Sequence, residues 1–271
     1  MEYLYHYTNI EALALILSNR TIRFSSLDKM DDLQEQEVAD IRNIGQFCYV
    51  SSWTDLEKES IPMWKMYSSL EAGVRIRLRK YPFHEYSNDP ESLRNITVPL
   101  VDNVVDGNYP KSVIPFADFF LKGFTQHPPL QKDMLFKVEY TDDKDKLTPQ
   151  LVTHTDECTS IATGILGKYK NTHWDFQSEW RYLFMALPID VKRLELDNDK
   201  YIRKINNKLL SGNLVHPFTS YDLTIAEDAF NDMEIVMGPR ISKGNEVIVR
   251  SLVEKYNSEA KLMESILAGK I

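Results

Sequence analysis

The chain has 271 residues, of which 43% are hydrophobic and 11% aromatic, enough apolar side chain to bury a substantial core in a single large domain. Its formal net charge of -8 argues against a broad surface for duplex nucleic acid, because that affinity comes mostly from basic residues displacing counterions. Cys48 and Cys158 are too few for a disulfide-stapled scaffold and sit in buried-looking segments, and no apolar run approaches the ~20 residues that span a bilayer. With no basic patch leading into an apolar run at Met1 to His6, the expectation is a cytoplasmic protein without a membrane partner.

Tyr3 to Tyr7 alternates like a short strand, and Thr8-Asn9-Ile10-Glu11 has the form of a capping box that starts a helix with Ile10, Leu13, Ala14 and Leu17 on one face. That helix ends near Asn19, and Thr21 to Ser25 resumes as a strand. Leu33 to Ile41 reads as a short acidic helix, and Gln46 to Trp53 as a β-prone run. Ser60 with Pro62 near the first turn predicts a helix in which Met63 and Tyr67 share a face, as core or as a stacking platform. Gly73 to Arg79 predicts a strand with Val74, Ile76 and Leu78 inward. Arg75, Arg77 and Arg79 face outward there, either to solvent or to phosphates.

Prolines from Pro82 to Pro129 break up the segment 81–131, which reads as an insertion decorating the core, with one helix near Phe116 to Lys122. Met134 to Tyr140 alternates as a strand, and Thr155 or Asp156 can cap a helix reaching Lys168. Trp174 to Tyr182 then reads as a loop entering the buried strand that runs on to Leu187. On that strand Gln177, Glu179 and Arg181 project together, with Trp180, Tyr182 and Phe184 on the opposite face. From about residue 190 a helical and strand extension follows: a polar helix near Tyr201 to Leu210, a strand at Glu234 to Met237, and an amphipathic helix from Lys243 to Tyr256 carrying Val247, Ile248, Leu252 and Val253. The pattern implies an α+β fold, a mixed and mainly antiparallel sheet with peripheral helices.

Phosphate-loop, dinucleotide-fold, nucleophile-elbow and zincin motifs are all missing, the six histidines lack ligand spacing, and Cys48 reads as a buried thiol. No metal is expected. Three separated segments remain: His6-Tyr7-Thr8, then Ser51-Ser52-Trp53 with Pro62 to Tyr67, then Gln177-Ser178-Glu179. Cleaving the nicotinamide–ribose bond of NAD passes through an oxocarbenium-like sugar, and these residue types suit it: a carboxylate for the ribose, an aromatic ring for nicotinamide, a polar residue for the distal ribose.

Tyr5-His6-Tyr7-Thr8 resembles the H-x-T strand of ADP-ribosyltransferases, Pro62 to Tyr67 is similar to the segment after the second strand in their nucleic-acid-modifying branch, and Gln177-Ser178-Glu179 has their [QE]-x-E form. The resemblance implies an ADP-ribosyltransferase-like fold with NAD as substrate, Glu179 as the catalytic carboxylate, Gln177 orienting the acceptor and Tyr67 or Trp64 stacking on nicotinamide. It further implies a cofactor-binding set of His6, Tyr7, Thr8, Ser51, Ser52, Trp64 and Arg181, with His6 at the adenine ribose. The acceptor would be a protein or nucleic acid, and the role that of a toxin or phage-defence effector with a partner protein or antitoxin. Almost the whole chain also resembles a widespread bacterial family known only as a domain of unknown function. The resemblance runs through His6-Tyr7-Thr8, Asp31 to Glu35, Pro62 to Tyr67 with Gly73, Trp174 to Arg181, and Ile235 to Pro239. Two departures stand out: the turn at Asp31 to Glu35 lacks the usual Asn and Pro, and Gln177 stands where that family has an acid.

Two alternatives remain open on sequence. Glu179 can be a structural ion-pair partner of Arg181 or of an arginine on the Gly73 to Arg79 strand, and the chain can be a non-catalytic ligand-sensing or interaction module.

Overall fold

The computed structural model describes residues 2–87, 110–155, 159–190, 193 and 198–271. At its centre is an open, mainly antiparallel sheet of ten strands, with helices around it. In chain order the strands are β1 (Tyr3–Asn9), β2 (Thr21–Ser26), β3 (Cys48–Thr54), β4 (Gly73–Arg79), β5 (Thr125–His127), β6 (Leu135–Lys137), β7 (Glu179–Leu187), β8 (Ser220–Thr224), β9 (Glu234–Met237) and β10 (Lys261–Met263). The longer helices are α1 (Ile10–Asn19), α2 (Ile61–Tyr67), α3 (Phe116–Lys122), α4 (Asn198–Leu210) and α5 (Lys243–Tyr256). The sheet order is β8-β2-β3-β1-β4-β9-β10, and β7 runs along the other edge of β3 and carries β5 and β6 on its own far edge.

The junction at β3 positions the site. One edge of β3 pairs with β7 along its whole length, from Cys48↔Met185 to Thr54↔Glu179. The other edge is shared: β2 meets it at Tyr49 and Val50, and β1 meets it only at Thr54, opposite Tyr5. Between those ends Ser51 to Trp53 has no strand partner on that side, and the sheet opens into a notch. Helix α1 links β1 to β2 and closes one side of it. Strand β1 is held on its far side by seven register pairs with β4, from Tyr3↔Arg79 to Asn9↔Gly73.

The helix start differs from the capping box read in the sequence. Thr8 stays in β1 opposite Val74, and Asn9 is the cap, its side-chain oxygen accepting from the Ala12 amide at 2.7 Å. Asn9→Ala is therefore expected to lower stability by about 1 kcal/mol, seen as a reduced thermal midpoint. The buried face of α1 is Ile10, Leu13, Ile16 and Leu17, with Ile16 in the place expected of Ala14. In α2, Ser60 caps the Met63 amide and Pro62 lies in the first turn, as its sequence implies.

A Cβ at Gly73 would lie 2.3 Å from the Ser69 carbonyl oxygen, and one at Gly238 would lie 2.6 Å from that of Leu70. Glycine at both positions lets the turn after α2 seat directly on the sheet, which fixes where Tyr67 ends.

Several other segments depart from their sequence pattern. Leu33 to Ile41 forms only a 3-10 turn at Leu33–Gln36, and Met134 to Tyr140 is a helical turn followed by two short strands. In place of a helix from Thr155, a small antiparallel pair, Val152–His154 with Thr159–Ile161, precedes a 3-10 turn at Thr163–Ile165. Asp156 and Cys158 lie outside the described residues. Of the arginines on β4, Arg75 is not solvated: it is buried, with its guanidinium 4.6 Å from the Tyr5 ring centroid and donating to the Glu57 carbonyl at 2.9 Å. Arg77 pairs with Glu234 at 3.2 Å and Arg79 with Asp228 at 2.8 Å. On α5 the buried residues are Val249 and Val253, and Val247 and Ile248 are exposed. Within 81–131 the described residues Phe83, Val113, Ile114, Phe119, Phe120 and Phe124 belong to the main core.

Candidate functional site

The two faces of β7 separate as the period of two dictates. Tyr182 and Phe184 enter the main core with Trp180 packed against it, and Leu183 and Met185 enter a second cluster with Phe47, Val50, Ile205 and Leu209. Glu179 and Arg181 continue that second face toward the notch, where a cleft is lined by Tyr5, His6, Tyr7, Ser52, Met63, Tyr67, Gln177 and five charged residues, Asp31, Glu35, Lys170, Glu179 and Arg181. Its enclosed volume is about 100 Å³, and it widens to about 550 Å³ with its mouth included.

Glu179 is 3% exposed and Arg181 1% exposed. The guanidinium grips the carboxylate with two bonds, Nε to Oε1 at 2.6 Å and Nη2 to Oε2 at 3.1 Å, and also donates to the Gly167 carbonyl at 3.0 Å. Lys170 donates to the Glu179 carboxylate at 3.2 Å and to the Gln177 side-chain oxygen at 3.0 Å. Glu35 completes the cluster, 2.8 Å from Lys170 and paired with Arg181. Its oxygens are held by charge, without an aligned hydrogen bond. Two carboxylates and two cations thus cancel in a buried site, which is the condition under which such charges can stay ionised.

The electrostatics follow from this arrangement. Burial would raise the Glu179 carboxyl, but the charges of Arg181 and then Lys170 outweigh it and hold it below the usual carboxylate range. Burial likewise opposes the Arg181 charge, and the carboxylates of Glu179 and Glu35 more than offset it, so its pKa stands above the ordinary arginine value. The Tyr67 phenol is pushed up by burial and then by Glu179, Asp31 and Glu35, so it stays protonated. Gln177 donates to the Tyr67 hydroxyl and accepts from Lys170, linking α2 to the charged cluster.

Ser178, between Gln177 and Glu179, has φ 43°, a left-handed conformation that costs a non-glycine residue of order 1 kcal/mol. It ends the 3-10 turn at Gln177 and starts β7, and its hydroxyl donates to Asp55 at 2.5 Å. The kink lets Gln177 and Glu179 address the same Lys170 from two different elements.

His6 occupies the notch. Its Nδ1 lies 2.9 Å from the Ser52 carbonyl, which only accepts, so Nδ1 carries the proton and the neutral ring presents its lone pair at Nε2. The ring packs on Trp53 with centroids 5.1 Å apart. Burial lowers its pKa. His6 also lines a second cleft of about 270 Å³ on the α1 side, together with Thr8, Thr21, Arg23 and Ser25.

Of the residues singled out in the sequence, Tyr67, Gln177, Glu179, Arg181, Ser52, Tyr7 and His6 line one cleft. Thr8 lines the second cleft. Ser51 points to the other face of β3 and accepts from the Trp53 indole at 3.0 Å. Trp64 is fully buried, edge-on to Tyr7 at 5.0 Å, and its indole donates to Glu59 at 2.9 Å. Sequence reasoning missed Glu35 and Lys170. For Glu35 the signal was its place in the Asp31 to Glu35 turn, and for Lys170 nothing in the local pattern marks a buried cation. Among the described residues no group of three His, Cys, Asp or Glu side chains is placed to hold a metal ion, and no helix is long and apolar enough to cross a membrane.

Acid should destabilise the fold in two stages. A histidine with a lowered folded-state pKa is protonated first in the unfolded chain, so stability falls as pH drops below about 6.5. A carboxylate with a depressed pKa contributes above about 4.3 and loses that contribution as pH falls toward its folded value. Urea midpoints across this range should decline in both windows, and His6→Gln should flatten the upper one. Identical upper-window slopes in parent and variant would contradict a buried neutral His6.

No family model, no curated protein and no solved structure matches this chain.

Proposed function

We propose that the chain is an NAD-consuming ADP-ribosyltransferase with an ADP-ribosyltransferase-like sheet, acting on a macromolecular acceptor. The observation that carries this reading is the adjacency of β1, β3 and β7, which brings His6, Ser52 and Glu179 from three distant segments to one cleft that Tyr67 closes from α2. The enclosed cleft is smaller than a dinucleotide needs. In this reading nicotinamide and its ribose lie against Tyr67 and Glu179, and the adenylate end lies in the second cleft near Thr8 and Arg23, reached by displacing the His6 ring from the Ser52 carbonyl.

In this reaction the bond between the nicotinamide nitrogen and C1′ of the ribose breaks, its electron pair leaves with nicotinamide, and C1′ becomes oxocarbenium-like. Glu179, ionised because Arg181 and Lys170 hold it so, faces the sugar as a fixed anion. Its proton-accepting power is low, which suits charge stabilisation and hydrogen bonding to ribose hydroxyls better than general-base work. The acceptor nucleophile then bonds to C1′ and gives up its proton to bulk water at the open mouth of the cleft. Gln177, tied to Tyr67 and Lys170, acts by holding the aromatic wall in place on the acceptor side.

A second reading is favoured by one observation. The two bonds from Arg181 and one from Lys170 occupy most of the Glu179 carboxylate, as in a structural ion pair of a ligand-sensing or interaction module. Nicotinamide release from NAD separates the two. Turnover by the parent that is lost in Glu179→Gln supports transfer chemistry, and a parent that releases no nicotinamide with protein or nucleic-acid acceptors leaves the non-catalytic reading.

A further inference from the structure

We propose that the exposed face of α4 docks the phosphate backbone of a single-stranded nucleic acid. The helix is amphipathic in an unusual way for an acidic chain. Ile205 and Leu209 are buried, and every exposed residue of α4 whose side chain is described is Lys, Arg or Asn. Lys200, Arg203, Lys204 and Lys208 follow the spacing i, i+3, i+4, i+8, so they lie on one face over about 12 Å of helix. Asp199, in the first turn, is the only carboxylate in the helix. Together with Asn207 and Asn213 the four cations border an open groove of about 890 Å³.

The density of cations along one helix face carries the argument. Arg23, Arg79, Lys137, Arg240 and Arg250 each hold a carboxylate within 2.5–2.8 Å. Among the described residues none of the four cations on α4 has an ion-pair partner, in a chain of net charge -8. A focal cationic strip on an otherwise acidic molecule selects a ligand that offers closely spaced anions along a line and that can avoid the rest of the surface. A single phosphate backbone does both. The amides of Asn207 and Asn213 add donors suited to phosphate or base oxygens. An anionic membrane is disfavoured, because among the described residues of α4 none that is exposed is apolar and the apolar side of the helix is already packed on the core.

The strip also lies on the side of the sheet that bears the cleft. Ile205 and Leu209 pack in the cluster of Leu183 and Met185, which alternate along β7 with the same facing as Arg181 and Glu179. A strand held on α4 is therefore on the side of the sheet from which an unstacked base can approach the mouth of the cleft at Glu179. This naming of the acceptor class rests on the NAD-transfer reading, whereas the docking surface does not.

The test measures binding alone. A fluorescently labelled single-stranded DNA of about 20 nucleotides is titrated with the protein by anisotropy, without NAD, at several salt concentrations. The parent should bind with an affinity that falls as salt rises, with a log–log slope of about -2 to -3 for three or four phosphate contacts. Lys204→Glu with Lys208→Glu should weaken binding by at least about tenfold and flatten that slope. Circular dichroism should show an unchanged fold, and nicotinamide release in the absence of nucleic acid should match the parent. Absent or salt-insensitive binding, equal binding by the variant, or tighter binding to phosphatidylserine vesicles that the DNA does not displace would overturn the proposal. DNA binding that depends on α4 in a protein that never cleaves NAD would sustain the surface and refute only the transfer reading.

Discussion

Replacing Arg181 with alanine should lower stability by about 3–5 kcal/mol, the effect of stranding buried charge when one partner of an ion pair is removed. Both Glu179 and Glu35 depend on this guanidinium, and Lys170 alone would face two carboxylates in a buried site. At about 2–4 °C per kcal/mol for a chain of this size, the thermal midpoint should drop by roughly 10 °C. The double substitution Arg181→Met with Glu179→Leu removes one whole pair and leaves Glu35 with Lys170 at 2.8 Å. It should recover much of the loss, because replacing a buried pair by apolar groups of similar volume is close to neutral. Urea denaturation of the two single variants and the double variant measures this coupling. Single substitutions costing under about 1 kcal/mol would mean the cluster is not the electrostatic unit described.

The second large effect is on chemistry. Glu179→Gln keeps the shape of the side chain but turns one acceptor oxygen into a donor facing a cation and leaves Arg181 and Lys170 with Glu35 alone, so stability should fall as well, by up to about 3–5 kcal/mol, and activity is compared well below the lowered thermal midpoint. The fixed negative charge beside the sugar is lost, and nicotinamide release should fall by about 10²- to 10³-fold, the range seen when one preorganised electrostatic contact to a transition state is removed. Binding of NAD, followed by calorimetry, should change far less, since the charge matters chiefly when C1′ becomes cationic. An amide variant that turns over NAD as fast as the parent would exclude Glu179 as the stabilising group, whatever the fold.

Much of this architecture was legible where one periodicity governs a segment. The sequence of β4 alternates apolar and arginine positions, residues two apart on β7 enter separate clusters, and Ser60 with Pro62 marks the start of α2, so these sequences dictate their elements. The readings that failed lie where local pattern is ambiguous. The polar Leu33 to Ile41 stretch has helix-forming residues, yet it is drawn into a 3-10 turn because Glu35 is committed to Lys170 and Arg181, partners more than 130 residues away. Arg75 sits in phase with solvent-facing residues but is covered by Tyr5 and the Glu57 loop, a tertiary fact with no local trace. The candidate site was half visible for the same reason. Glu179 and Arg181 announce themselves through strand spacing, whereas Gln177, read as part of that strand, reaches them from a 3-10 turn across the Ser178 kink, and the cation that ties them together, Lys170, comes from a two-residue strand with no period to read.

The branching of the sheet at β3 has a mechanical consequence. Strands transmit stiffness through continuous ladders, and β1 and β3 share a single rung at Tyr5 and Thr54. Beyond it the two strands are bridged by the His6 ring on the Ser52 carbonyl. The gap at the cleft is therefore the compliant joint of an otherwise rigid plate. A bound molecule can prise it wider by exchanging one imidazole hydrogen bond, while the seven-rung ladders on either side stay intact.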